Sequence, residues 1–267
     1  MKKEQLPSAK KGRPLALRLL AGAGAVTLIV LLLGITNSFT GNPVSAFLAK
    51  QKLTAYVREA YPQYNLKADR ARYNFKFGTY DVTFQDTQSQ DVKFTASLRR
   101  GGDISDDYDS QVTGRTSTLI RLADEMSGQL RPVVETFLRA RGLQVGQRLF
   151  VDFSLKQGTV EIPPLNTPYS RELPLEGTLF VDIQSESPMT LQQEAAVIRS
   201  LHERVTGEGY RVVSYVLTFS YPMENRQRTD SISLDAVHID ENLAHTLQEV
   251  LDSDGFQEDI YVRLDER

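Results

Sequence analysis

From Leu19 to Thr36 the chain runs 18 residues without a charge, LLAGAGAVTLIVLLLGIT. Beyond that run the apolar positions fall into helical and alternating periods, separated by Gly, Pro and Asp clusters. At about 1.5 Å per residue the run makes roughly 27 Å of helix, or about 31 Å if it continues to Phe39, close to the hydrocarbon thickness of a bilayer. The pattern therefore predicts a transmembrane anchor over 19–39.

After the run, NPVSAFLAKQKLTAYVREAYP places Phe47, Leu48, Leu53, Tyr56 and Val57 near helical spacing, with Pro43 suited to the first turn and Pro62 as a stop. Alternation follows: Ala71, Tyr73, Phe75 and Phe77; Tyr80, Val82 and Phe84; Val92, Phe94, Ala96 and Leu98. Period two with intervening turns predicts a three-stranded antiparallel meander covered by the preceding helix.

From Thr116 a long helical pattern runs to Gly142, with Pro132 expected to kink or divide it. Leu149, Val151, Phe153 and Leu155 alternate as a strand, and Glu161 to Pro174 forms a proline-bearing connection. Leu175 to Ile183 is the next strand pattern. Thr190 and Gln193 then make a capping box for a helix that ends at Gly207 and Gly209. Strand patterns at 213–221 and 232–236, a helix after Asp240 and a strand at 260–264 complete a βαββαβ order, which predicts a ferredoxin-like split sandwich.

The expected fold class is α+β: an anchor, a helix-plus-meander domain of cystatin- or PepSY-like plan over 42–110, and a second α+β domain over 111–267. Three segments carry a further likeness, NPVSAFLAKQKLTAYV, ARYNFKFGTYDVTF and ISDDYDSQV. They resemble the membrane-anchored, largely uncharacterised YfjL-like proteins of Firmicutes, over about Asn42 to Arg121. The resemblance implies an anchored extracytoplasmic protein and supplies no catalytic residue.

Charge fixes the expected orientation. Residues 1–18 form a basic head with Lys2, Lys3, Lys10, Lys11, Arg13 and Arg18 against Glu4 alone. Basic flanks stay on the cytoplasmic side, so the body is expected to face outward. A cleaved signal peptide is the competing reading, with Val44, Ser45 and Ala46 as the small-residue site, but the apolar run exceeds the usual signal length. The whole chain has 31 basic and 34 acidic residues, leaving 25 against 33 after residue 18, a net charge of −8 for the body. Such a body has no general attraction for nucleic acid and is repelled by anionic lipid or teichoic acid unless a local basic patch intervenes. The absence of cysteine excludes disulfides, thiolate catalysis and zinc–cysteine sites, and suits a Gram-positive surface.

Candidate chemistry is sparse. In GGDISDDYDS, Asp103, Ser105, Asp107 and Asp109 alternate as early calcium-loop ligands do, yet Tyr108 stands where that loop needs Gly and Gly114 where it needs Glu. An acidic interdomain linker is the simpler reading. His202, His238 and His245 form no i, i+4 metal pair, and no Gly-x-Ser-x-Gly elbow or phosphate-binding glycine loop is present. Tyr73, Phe75, Phe77, Tyr80 and Phe84 are expected in the core rather than on a binding platform, with Tyr61 and Tyr64 exposed around Pro62. The resulting expectation is a non-enzymatic module with no catalytic, cofactor or metal residues, bound to a membrane and to another envelope protein. The alternative is a cell-wall or peptide hydrolase, or its inhibitor, with a site assembled only in space.

Overall fold

The computed structural model describes residues 15–153, 161–222, 227–257 and 259–265, and in the first helix the side chains of 19–32, 34 and 36. The basic head's Lys2, Lys3, Lys10, Lys11 and Arg13, the side chain of Arg18, and Leu155 lie outside the described residues. The chain divides into two compact units, Met1–Thr87 with Phe94–Asp107, and Gln88–Lys93 with Tyr108–Arg267.

The charge-free run lies in helix α1, Leu15–Thr40. Among the described residues no helix is long and apolar enough to cross a membrane. The unbroken run of described side chains in α1, Leu19 to Leu32, covers 14 residues, or about 21 Å at 1.5 Å per residue.

In the first unit, α2 spans Pro43–Ala60 and buries Ala49, Leu53 and Val57 at i, i+4 and i+8. Proline fits at its start because the first helical N–H needs no intrahelical partner. The Asn42 side chain caps the turn, its Oδ1 accepting from Val44 N at 2.8 Å and from Ser45 N at 3.4 Å. Five strands follow, β1 Leu66–Ala68, β2 Arg72–Asn74, β3 Thr79–Asp86, β4 Lys93–Arg99 and β5 Ile104–Asp106. The sheet runs β1-β3-β4-β5, with β2 also on β3. Strand β1 pairs with the far half of β3, Leu66 opposite Asp86, and β2 with the near half, Asn74 opposite Thr79. The expected meander is therefore present with two corrections. Its first strand, expected over Ala71 to Phe77, is only Arg72–Asn74 and shares β3 with an additional strand, Leu66–Ala68, and the acidic segment contains a strand instead of forming a linker, with Ser97 paired to Ser105.

The second unit opens on a π-helical turn, Asp109–Thr113, and then α3, Thr116–Arg139. Pro132 does not divide α3. Residue 128, whose carbonyl loses its i+4 donor, is an exposed glycine, so water can satisfy that oxygen while Met126, Leu130, Val134 and Leu138 keep the buried face continuous. After α3 come β6 Gln144–Asp152, β7 Gly177–Gln184, α4 Leu191–Gly207, β8 Val212–Pro222 and β9 Gln227–Asp235. The chain closes with α5 Leu243–Asp252, β10 Phe256–Gln257 and β11 Ile260–Arg263.

The capping box at Thr190 and Gln193 forms as expected. Asp240 is not the cap of α5: that place belongs to Asn242, while Asp240 Oδ1 accepts from Asn242 N at 2.8 Å. The six strands lie in the order β10-β11-β9-β8-β7-β6. Leu149, Val181, Leu217, Ile232 and Val262 stand in register across five of them and belong to one core cluster with α3, α4 and α5. The α+β class and the βαββαβ order hold, but the ferredoxin-like split does not. Strands β7 and β8 are direct parallel neighbours from Gly177 to Gln184, so no strand can enter between them.

Candidate functional site

A cleft of about 640 Å³ opens in the first unit, within the range usual for small-ligand sites. Helix α2 contributes Ser45, Leu48, Ala49 and Lys52, the β2–β3 turn contributes Phe77 and Gly78, and the β4–β5 turn contributes Arg99, Arg100 and Gly102, with Asn42, Tyr73, Tyr80 and Leu98 completing it.

Each wall has a local cause. Burial of Ala49, Leu53 and Val57 turns Val44, Leu48 and Lys52 outward as a second stripe four residues apart. The β2–β3 turn closes through Gly78 at φ 63°, whose N–H donates to Asn74 O at 2.8 Å. That turn lifts Phe75 and Phe77 out of the sheet, 57% and 67% exposed. The β4–β5 turn closes through Gly102 at φ 97°, with Gly102 N donating to Arg99 O at 2.9 Å. Lys52 Nζ reaches across to donate to Gly102 O at 3.0 Å. Tyr80 Oη accepts from Asn42 N at 2.8 Å, and the Tyr73 and Tyr80 rings lie 5.0 Å apart, fixing the start of α2 against the hairpin.

No Asp or Glu lines the cleft, and Lys52, Arg99 and Arg100 make no ion pair among the described residues. The site is thus cationic and aromatic, with the exposed apolar side chains Leu48 and Phe77 beside its charges. It can bind an anion that carries an apolar part.

The second unit holds a strongly perturbed carboxyl. Glu194 is fully buried on α4 and its Oε1 accepts from the Tyr221 hydroxyl. Burial pushes this carboxyl up to about 8; the Tyr221 hydroxyl opposes the rise and the Asp230 carboxylate adds to it. Asp230 is gripped by Arg228 through Oδ1 at 3.1 Å and Oδ2 at 2.8 Å. With Glu194 0% and Asp230 1% exposed, the cluster is closed to any substrate and reads as part of the core.

The candidates raised by the alternating acids do not converge. Asp107 Oδ1 accepts from Thr95 N at 2.6 Å, and Asp103 and Ser105 flank Ile104 along an edge strand. Asp106, which the alternation passes over, accepts from Tyr56 at 2.6 Å and Tyr61 at 3.0 Å. Among the described residues no group of three His, Asp or Glu is placed to hold a metal ion. His202 Nδ1 pairs with the Tyr215 hydroxyl at 2.8 Å, and burial lowers its pKa. His238 lies in a short 3-10 turn, and His245 pairs with Glu249 at 3.4 Å.

The aromatic set splits, contrary to the expectation of a common core role. Phe84 is buried, Tyr73 and Tyr80 are half-buried, and Phe75 and Phe77 are exposed because the strand ends before them. Tyr61 is half-buried instead of exposed, its ring meeting Phe94 edge-on at 5.0 Å. The basic half of the cleft was not anticipated. Its only local signal is the Gly101-Gly102 turn beside Arg99 and Arg100.

Residues 16–108 match the family model of the YfjL-like N-terminal domain. The match bears out the YfjL-like resemblance, extends it back into α1 and contains every residue of the cleft. It does not carry the cystatin- or PepSY-like plan. No curated protein and no solved structure matches the chain.

Proposed function

We propose that the chain is a single-span membrane protein whose residues beyond α1 stand outside the membrane and bind another component of the cell envelope, without chemistry of their own. The observation that carries the reading is the surface of α1. Leu28, Ile29, Val30, Leu31 and Leu32 are consecutive and all 54–61% exposed. Five successive residues at about 100° each pass round the whole helix, so no face is shielded by protein. A helix apolar on every side needs an apolar surrounding, and in the sequence the charge-free run continues through Leu33 and Ile35 to Thr36. The hydroxyls of Thr27 and Thr36 bond back to Ala23 O at 3.0 Å and Leu32 O at 2.8 Å, which satisfies them without water.

The basic residues before α1 favour a cytoplasmic N-terminus. The binding role rests on the first unit's open cleft, and the absence of catalysis on the closed setting of Glu194. Single-cysteine labelling tests the orientation cleanly, because the chain has no cysteine of its own. An S187C variant is expected to react with a membrane-impermeant maleimide on intact cells. Labelling only after permeabilisation would overturn the outward placement. Crosslinking in intact cells, with an α1-only chain as control, would then identify the envelope component.

A further inference from the structure

We propose that the basic cleft of the first unit holds the headgroup phosphate of an anionic phospholipid from the leaflet at which α1 emerges, with Lys52, Arg99 and Arg100 on the phosphate and Leu48 and Phe77 against the upper acyl chain. The proposal rests on the anchor reading of α1 for the source of the lipid. Three observations carry it.

The first is charge. The body after residue 18 is acidic overall, 25 basic against 33 acidic residues, so its general field repels anions. Three cations nevertheless meet in one cleft that no carboxylate lines, although Lys52 and Arg99 are far apart in sequence. Asp103, in the same turn as the arginines, forms no ion pair with them.

The second is the pairing of charge with apolar surface. Leu48 and Phe77 are 56% and 67% exposed at the cleft. Each is costly to leave in water at about 25 cal/mol per Å². A phosphate polymer of the wall satisfies the cations and leaves these side chains wet; a phospholipid covers both.

The third is position along the chain. Asn42 lines the cleft and α1 ends at Thr40, so the site begins two residues beyond the helix. With α1 in a bilayer, the cleft stands at headgroup level, where a Lys or Arg near an anionic leaflet gains about 1 kcal/mol.

The chain contains no tryptophan, so F77W gives a reporter without background. The full chain carrying F77W, in non-ionic detergent, is titrated with dihexanoyl-phosphatidylglycerol, with dihexanoyl-phosphatidylcholine and with inorganic phosphate. A saturable blue shift is expected with phosphatidylglycerol alone. Adding K52A, R99A and R100A should weaken its midpoint roughly a hundredfold, at about a factor of five per charge. These side chains are exposed, and an unchanged circular dichroism spectrum would establish that the variant folds. Equal shifts with phosphatidylcholine, saturation by inorganic phosphate at the same midpoint, or indifference to the triple substitution would overturn the proposal. Alkaline extraction of the same chain from cell membranes reads the anchor separately. A chain that extracts yet titrates selectively keeps the lipid site and loses the anchor; one that resists extraction and fails to titrate does the reverse.

Discussion

Arg121 holds Asp91 through two hydrogen bonds from one edge of its guanidinium, Nε to Oδ1 and Nη2 to Oδ2, the second at 3.1 Å. Asp91 is fully buried and also accepts from Asn166 N at 2.6 Å. Arg121 continues to Glu125 Oε1 at 2.6 Å and to Thr167 O at 2.7 Å. One guanidinium thus joins three stretches of the second unit. D91A should cost about 3–5 kcal/mol, the range for breaking a buried pair from one side. R121K should lose nearly as much, since an ammonium cannot reproduce the paired geometry. Urea unfolding of the full chain measures both. Burial alone would raise the Asp91 pKa, but Arg121 and the Asn166 N–H outweigh it and hold the carboxyl below its usual value. Its contribution is therefore full above the unfolded carboxylate range and declines as pH falls towards the folded pKa. D91N should flatten that acid limb.

Glu194 has the opposite sign. Its folded pKa is raised to about 8 by burial, above the value of an unfolded glutamate, so between the two the folded state holds a proton that the unfolded chain releases. Stability from this group is full at low pH and falls as pH rises towards about 8. E194Q keeps an oxygen for the Tyr221 hydroxyl and removes the ionisation. Melting temperatures of wild type and E194Q should agree near pH 5 and diverge by pH 9, with E194Q the more stable. Parallel curves would show that the carboxyl is not held protonated.

These two clusters show what periodicity could and could not reveal. Helices α2, α3 and α4 were legible because their cause is local: apolar residues at helical spacing, Pro43 at a first turn, and Thr190 with Gln193 as a box. Strands β8 and β9 were legible for the same reason, through alternation against one core. The short strands β1 and β5 were not, because three residues give no period and only pairing to β3 and β4 defines them. The sheet order was hidden too: a βαββαβ string is compatible with split and unsplit sheets, and the contact of β7 with β8 decides. The cleft was least legible of all. Lys52 and Arg99 become neighbours only when a β-turn folds back over α2, and the Gly101-Gly102 pair marking that turn was absorbed into a reading about calcium.

Pro132 gives a test of how α3 tolerates a missing donor. The helix continues from Thr116 to Arg139 and the freed carbonyl belongs to the exposed Gly128. P132A restores one hydrogen bond and removes the ring clash, and proline in a helix interior costs about 3 kcal/mol against alanine. Part of that cost is already relieved by water, so a gain of about 1–2 kcal/mol is expected. Denaturant midpoints measure it, and a loss of stability would mean that the proline shapes the packing of α3 on β6.

Gly41 joins α1 to α2 under two constraints that can be separated. Its φ is +71°, and a Cβ there would lie 2.6 Å from Tyr73 Cβ and 3.1 Å from Tyr80 Oη. Gly78 shares the positive φ, at +63°, but a Cβ there meets nothing within 4 Å. Alanine at either position pays backbone strain of about 1 kcal/mol. Only G41A must also displace Tyr73, and with it the Tyr80 hydroxyl that accepts from Asn42 N. Asn42 in turn caps α2, a contact worth about 1 kcal/mol. Hydrogen exchange at the Val44 and Ser45 amides, both bonded to Asn42 Oδ1, should therefore accelerate in G41A and stay unchanged in G78A. Equal exchange in the two variants would mean that φ alone governs the junction and that the Tyr73 and Tyr80 contacts do not hold the start of α2.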